Sequence, residues 1–169
     1  KGDWNVWLIL AGRGWGKTRT GAQDIAFYGL TRPNSRIAIV APTHRDGRDT
    51  CIEGISGLLS CFDRELIENW NRSIGELTLK NGTIYRTFSA EQPDRLRGPQ
   101  FHRAWCDELG AWKNDEAWDQ LLFGLRLGEN PQIVVTTTPK PTDIIKELVN
   151  SKDSLVTRGS TFENKDNLA

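Results

Sequence analysis

The chain reads as one α/β domain, a central mostly parallel sheet flanked by helices, with an antiparallel hairpin at one edge. Three observations carry that expectation. Short apolar runs alternate with longer helix-compatible segments, as in successive strand–helix–strand units. Lys80-Asn81-Gly82 separates two stretches of alternating residues, which is a hairpin signal. A length of 169 residues suits one ordinary domain and is enough to bury a substantial core.

Taken in order, Val6–Leu10 is an apolar run that reads as a buried strand, and Lys17–Tyr28 is a helix ending near Gly29. Arg36–Ala41 is a second buried strand, stopped by Pro42. The spacing of Ile52, Ile55 and Leu59 predicts a helix from Arg45 to Leu59. Ser73–Leu79 and Thr83–Phe88 form the edge hairpin. Phe101–Asp107 is the next core strand, less apolar than its neighbours because Arg103 interrupts it. A helix follows at Asp115–Leu125, then a buried strand at Gln132–Thr136. Pro139 and Pro141 interrupt the chain before a helix at Thr142–Asn150, and Leu155–Thr157 is a last strand. The polar stretch 163–167 reads as the start of a linker, so the domain is placed at 1–162 and the linker at 163–169.

Lys and Arg number 22, as do Asp and Glu, so composition alone makes no case for a nucleic-acid partner. Residues 1–50 are the more basic part, with eight Lys and Arg against four Asp and Glu. Arg19, Arg32, Arg36, Arg45 and Arg48 form either a basic face or an ordinary solvated surface. Cys51, Cys61 and Cys106 lack zinc spacing and are odd in number, as suits a reduced intracellular protein. No run approaches a membrane span and no signal peptide is visible. A chain that starts at Lys1 and contains no Met reads as a piece of a longer protein.

The most informative stretch is Ala11-Gly12-Arg13-Gly14-Trp15-Gly16-Lys17-Thr18, between the first strand and the first helix. Its glycines allow successive backbone N–H groups to turn onto an anionic phosphate at the N-terminus of a helix. Lys17 reaches the β- and γ-phosphates and Thr18 offers a hydroxyl to Mg2+. The loop begins with Ala11 where the usual pattern has Gly. Trp15 is bulky for a phosphate loop, so it points outward to an interface or the nucleotide, or packs against the first helix. The expected fold is therefore a P-loop NTPase of the ASCE type, with the catalytic Glu on its own strand beside the P-loop strand.

Such a site needs an acidic partner for the metal and a group that orients water. Asp107 and Glu108, at the end of the Phe101–Asp107 strand, supply both. Asp107 holds Mg2+ with Thr18, and Glu108 polarises the attacking water, which argues for hydrolysis as well as binding. Trp105, Trp112 and Trp118 read as packing residues. His44 and His102 read as surface or structural.

Ala11–Thr18, Asp94–Phe101, Ala104–Leu109 and Thr136–Pro139 together resemble the ATPase domain of large terminase subunits, the DNA-packaging motors of tailed bacteriophages. The resemblance covers essentially the whole chain, and its strength is the order of four motifs. It implies an ATP hydrolase that uses Mg2+ to drive double-stranded DNA into a procapsid. Arg13 matches an arginine that contacts the phosphates in cis. Thr136, Thr137 and Thr138 match a coupling motif that senses the γ-phosphate, although three β-branched residues are also simply good strand formers. Arg95 and Arg97 lie where the family has an arginine finger acting on the neighbouring subunit, with Arg97 favoured. Their alternative is a surface pairing with Asp94 or Glu91. The resemblance further implies a homo-oligomeric ring, a pentamer, on the capsid. It also implies portal protein and small terminase subunit as partners, and a place in the bacterial host cytoplasm at the procapsid portal, with no membrane. Nuclease activity is not expected from this polypeptide, because the family's nuclease domain would begin about where the chain ends. Two rivals stay open, another P-loop helicase or translocase, and a nucleotide-dependent assembly module in which turnover is incidental.

Overall fold

The computed structural model describes residues 4–160. The linker expected at 163–169 lies outside them. Eleven regular elements follow in order: β1 (Val6–Ala11), α1 (Lys17–Thr31), β2 (Arg36–Ala41), β3 (Ile67–Asn71), β4 (Glu76–Leu79), β5 (Ile84–Ser89), β6 (Arg103–Asp107), α2 (Glu116–Gly124), β7 (Gln132–Thr137), α3 (Asp143–Asn150) and β8 (Ser154–Gly159). The eight strands make one sheet in the order β3-β4-β5-β2-β6-β7-β1-β8, parallel from β5 to β8 and antiparallel in the β3–β4–β5 meander.

The strand pattern explains the two layers. Central strands covered on both faces are buried at nearly every position, as β1, β2 and β7 are; β1 and β2 are apolar almost throughout, and β7 is apolar at Ile133–Val135 before its buried threonines. Alternate residues then divide between two cores. Leu8, Leu10, Val40, Cys106 and Val135 face α2 and α3, where Trp118, Leu121, Ile144 and Leu148 cover them. Ile9, Ile37, Ile39, Trp105 and Val134 face α1, through Ala22, Ile25 and Ala26. Burying a core side chain of this size contributes about 1.5–3 kcal/mol.

Arg103 is not a break in its strand. It is 7% exposed and makes a two-pronged ion pair with Asp24 of α1, at 2.9 and 2.8 Å, plus a bond to Gln132 at 2.7 Å. Its stem and charge are satisfied across the layer, so the strand keeps its place in the core.

Four expectations need correction. The segment 45–59 is not one α-helix. It is a π-helical turn at Asp46–Ile52, then irregular chain, then a 3-10 turn at Leu58–Cys61. Gly54 and Gly57 interrupt the helical run, and Ile55, one of the three residues whose spacing predicts the helix, is 96% exposed. The first hairpin strand starts at Glu76 and not at Ser73, because Gly75 takes a positive φ of 69° in the turn before it. The hairpin is not alone at the edge, since β3 lies outside it. Finally, β6 is not beside the P-loop strand. β7 lies between β6 and β1, and pairs with both.

Candidate functional site

Because β1, β7, β6, β2 and β5 run parallel, their carboxyl ends share one edge of the sheet, where ligands of open α/β folds bind. Ala11, Thr137, Asp107, Ala41 and Ser89 are those ends. The loop Gly12–Gly16 leaves β1 there. Gly14 (φ 76°) and Gly16 (φ 98°) take left-handed backbone conformations that a side chain would strain, and Gly16 opens α1. Lys17 is 8% exposed, and its ammonium donates to the Gly12 carbonyl at 3.0 Å, so its charge lies within the loop. Thr18 is half-buried on the first turn of α1. Arg13 is exposed and forms no hydrogen bond or ion pair among the described residues. A cavity of about 450 Å³ opens beside the loop, bounded by Gly16, Lys17 and Thr18 on one side and Asp49, Thr50 and Ile55 on the other.

Trp15 is half-buried. Its indole covers Gly159 at the end of β8, where a Cβ would overlap the ring. Its bulk is taken up by the edge strand and by the core cluster on the α1 side of the sheet, against which it packs.

Asp107 and Glu108 have different surroundings although they are adjacent. Asp107 is 5% exposed and its carboxylate is bracketed by two donors. The Thr136 hydroxyl donates to Oδ1 at 2.8 Å and the Cys51 thiol approaches Oδ2 at 3.7 Å. Burial pushes its pKa up to about 6, and the Glu108 charge adds to that, while Thr136, Cys51 and Lys17 pull the other way. This is a desolvated carboxylate whose charge protein donors only partly offset. A cation would complete it. Hard oxygen donors on Thr18 and Asp107, few in number, match Mg2+, which commonly binds one or two side chains and takes its other ligands from phosphates and water.

Glu108 is half-buried with φ 50°, in a region that non-glycine residues enter rarely. Its N–H donates to the Thr136 carbonyl at 2.6 Å, which holds the turn. The Thr138 hydroxyl approaches its Oε2 at 3.4 Å. Thr137, on the opposite face of β7, accepts from the Gly110 N–H at 3.1 Å. The three threonines thus surround the Asp-Glu pair: Thr136 holds Asp107, Thr138 touches Glu108, and Thr137 holds the turn after them. Good strand propensity alone does not explain these contacts.

Arg95 and Arg97 lie on the segment after β5. Arg97 pairs with Asp94 at 3.4 Å and Glu116 at 3.8 Å, its side chain 60% exposed. Arg95 is exposed and forms no ion pair among the described residues. Glu91 pairs instead with Lys113. Among the basic residues of the first third, Arg45 pairs with Asp49, and Arg19 donates to Ser60. His102 accepts from the Arg36 N–H and is structural, while His44 meets Gln92 at 2.7 Å.

Three participants escaped the sequence reading. Cys51, 56 residues from Asp107, carried no signal. The indole N–H groups of Trp105 and Trp112 were hidden because a buried indole needs some acceptor but the sequence does not say which one it finds. Trp105 donates to Thr136 at 2.8 Å, and Trp112 donates to the Asp107 carbonyl at 3.0 Å.

The sequence profile of the family "Terminase large subunit, T4likevirus-type, N-terminal" matches residues 8–153. Among solved structures, the large terminase ATPase domain of Thermus phage P74-26 is similar at TM-score 0.75 and 17% identity, over 98% of this chain and 80% of that one. The large terminase of a thermophilic bacteriophage, in complex with ADP, gives TM-score 0.78 and 14% identity, over 99% of this chain and 42% of its own. The HK97 bacteriophage large terminase gives 0.74 and 19%, over 92% of this chain and 35% of its own. The chain thus spans less than half of the last two proteins. At these identities the structures share the fold, and the profile carries the family. No curated protein matches the chain in sequence.

Proposed function

The chain belongs to the N-terminal domain family of T4likevirus-type terminase large subunits, and from that premise we propose how its residues bind and hydrolyse ATP. The observation that carries the reading is the meeting of Asp107 and Glu108 with Thr136–Thr138 at the sheet edge where Lys17 and the glycine loop lie.

The triphosphate sits on the loop Ala11–Thr18 at the start of α1, where backbone N–H groups and the helix dipole favour negative charge. Lys17 exchanges its bond to the Gly12 carbonyl for phosphate oxygens, and the exposed Arg13 folds over them. Thr18 and Asp107 would hold Mg2+, which when bound offsets charge on the β- and γ-phosphates. Glu108 accepts a hydrogen bond from a water and aims it along the line of the breaking P–O bond. ATP and water become ADP and phosphate, and the proton lost by the water passes to the phosphate or to Glu108. An arginine from a neighbouring protomer, Arg95 or Arg97, offsets charge in the transition state. Thr138, touching Glu108, and Thr136, holding Asp107, carry the loss of the γ-phosphate into β7.

The work done by this cycle is translocation of double-stranded DNA into a procapsid. It requires a ring of these subunits at the portal in the host cytoplasm, with the portal protein and a small terminase subunit as partners. No helix among the described residues is long and apolar enough to cross a membrane. The assembly-module alternative loses ground because Glu108 is held next to Asp107 and Thr138, an arrangement that binding alone does not require.

The test is Glu108→Gln. Turnover should fall at least about 100-fold, the usual scale for general-base chemistry, with ADP binding unchanged. Turnover that survives in the assembled, DNA-stimulated motor would remove Glu108 from the mechanism.

A further inference from the structure

Asp107 is held from behind by a relay that begins at a residue with no role in the mechanism above. Trp105 is wholly buried on β6, two residues before Asp107 and on the same face of the sheet. Its Nε1–H donates to Thr136 Oγ1 at 2.8 Å, and Thr136 Oγ1 donates to Asp107 Oδ1 at 2.8 Å. An indole N–H can only donate. The Thr136 oxygen therefore receives that bond and has a single proton of its own to give, which goes to the carboxylate.

The indole is also fixed in place. Gly21 of α1 lies directly on it, and a Cβ there would overlap Nε1. The first turn of that helix carries Lys17 and Thr18. The ring thus joins the phosphate-binding helix to the carboxylate, while the Thr136 carbonyl receives the Glu108 N–H. On Oδ2, the neighbouring protein group is the Cys51 thiol at 3.7 Å, a weak donor that is easily displaced.

We propose that Trp105 is a positioning residue of the nucleotide site. It fixes the direction of the Thr136 hydroxyl, commits Oδ1 of Asp107 to the sheet, and leaves Oδ2 to face the cation. The proposal rests on the reading that Asp107 holds Mg2+. Without the indole N–H, the Thr136 proton can turn elsewhere, and Asp107 is free to rotate away from the orientation the cation needs.

The experiment is calorimetric binding of ADP with and without Mg2+, on wild type and on Trp105→Phe, which deletes the N–H and retains an aromatic ring. Metal-free ADP affinity should stay within about twofold, and the tightening brought by Mg2+ should shrink roughly 10-fold, the scale of one hydrogen bond to a charged group. In a Thr136→Val background, Trp105→Phe should reduce it no further, because the indole acts through that hydroxyl. Should Trp105→Phe not fold, 3-benzothienylalanine at position 105 retains the bicyclic shape and deletes only the donor.

An unchanged Mg2+ effect would overturn the relay, as would equal losses with and without metal or additive losses in the double variant. Asp107→Asn separates this from the parent reading. If Asp107→Asn leaves the Mg2+ effect intact, the metal assignment itself is wrong. If it removes the effect and the Trp105 variants do not, only the relay fails.

Discussion

Glu108 occupies the left-handed backbone region at φ 50° beside a carboxylate forced into the sheet edge. Both residues therefore hold conformational or electrostatic free energy that the fold alone does not need, and each can be measured. The left-handed conformation costs a non-glycine residue about 1–2 kcal/mol, partly offset by glycine's larger unfolded-state entropy. Glu108→Gly should therefore raise stability by about 0.5–1 kcal/mol in denaturant melts while ATP turnover is lost. A destabilised variant would mean that the Glu108 side chain, and not the strain, dominates. Asp107 gives a pH test. Its folded pKa is raised from 3.8 to about 6, chiefly by burial. Between those values the folded state retains a proton that the unfolded chain has lost. Its contribution is thus present below pH 4 and lost as pH rises through 6. At pH 7.5, without nucleotide or metal, Asp107→Asn should be more stable than wild type by about 2 kcal/mol, from 1.4 kcal/mol per unit discounted for imperfect hydrogen bonding by the amide. Near pH 4 the difference should vanish. A stability difference that does not change with pH would contradict the desolvated state of Asp107.

At the scale of elements, α1 offers a case where helix propensity and packing oppose each other. Alanine usually stabilises a helix interior by about 1 kcal/mol relative to glycine. At Gly21, however, a methyl group would overlap the indole of Trp105, which is fully buried and cannot retreat. Gly21→Ala should therefore destabilise by about 1–3 kcal/mol by overpacking and weaken Mg2+-dependent ADP binding. A neutral or stabilised variant would show that the ring has room to move. The same contrast explains what could be read in advance. Strands β1, β2 and β7 and the glycine loop were legible because burial on both faces writes continuous apolar runs and the loop carries its own pattern. The turn at Asp46–Ile52 was not. Ile52 and Leu58 are buried while Ile55 is bare, since Gly54 ends the helical run before the period can repeat. Strand β3 was missed because it pairs on one side only and carries Glu68, Asn69 and Asn71, so neither alternation nor apolar content marks it. Pairs far apart in sequence, Arg103 with Asp24 and Asp107 with Cys51, have no local trace at all.

For the whole molecule, the question is whether one copy holds a complete site. Lys17, Asp107, Glu108 and the threonines come from one chain, but neither arginine proposed for the transition state forms an ion pair with the glycine loop among the described residues. Arg97 is engaged with Asp94 and Glu116 on its own surface, whereas Arg95 is exposed without an ion pair among the described residues. Exposed ion pairs are worth at most about 1 kcal/mol, so pairing does not disqualify Arg97. It does mean that Arg97 must exchange existing partners to reach a neighbour, and Arg95 need not, so the expectation moves to Arg95. If the finger is supplied in trans, specific ATPase activity should rise with protein concentration and lose most of that rise in Arg95→Ala, because such a finger accelerates hydrolysis about 10³–10⁵-fold. Mixing Arg95→Ala with Glu108→Gln should then restore part of the activity, since some interfaces of the mixture combine an intact finger with an intact catalytic carboxylate. Flat specific activity that survives both Arg95→Ala and Arg97→Ala, with no restoration on mixing, would mean a self-contained site. Arg13, exposed on the phosphate loop itself, would then be the arginine that serves the transition state.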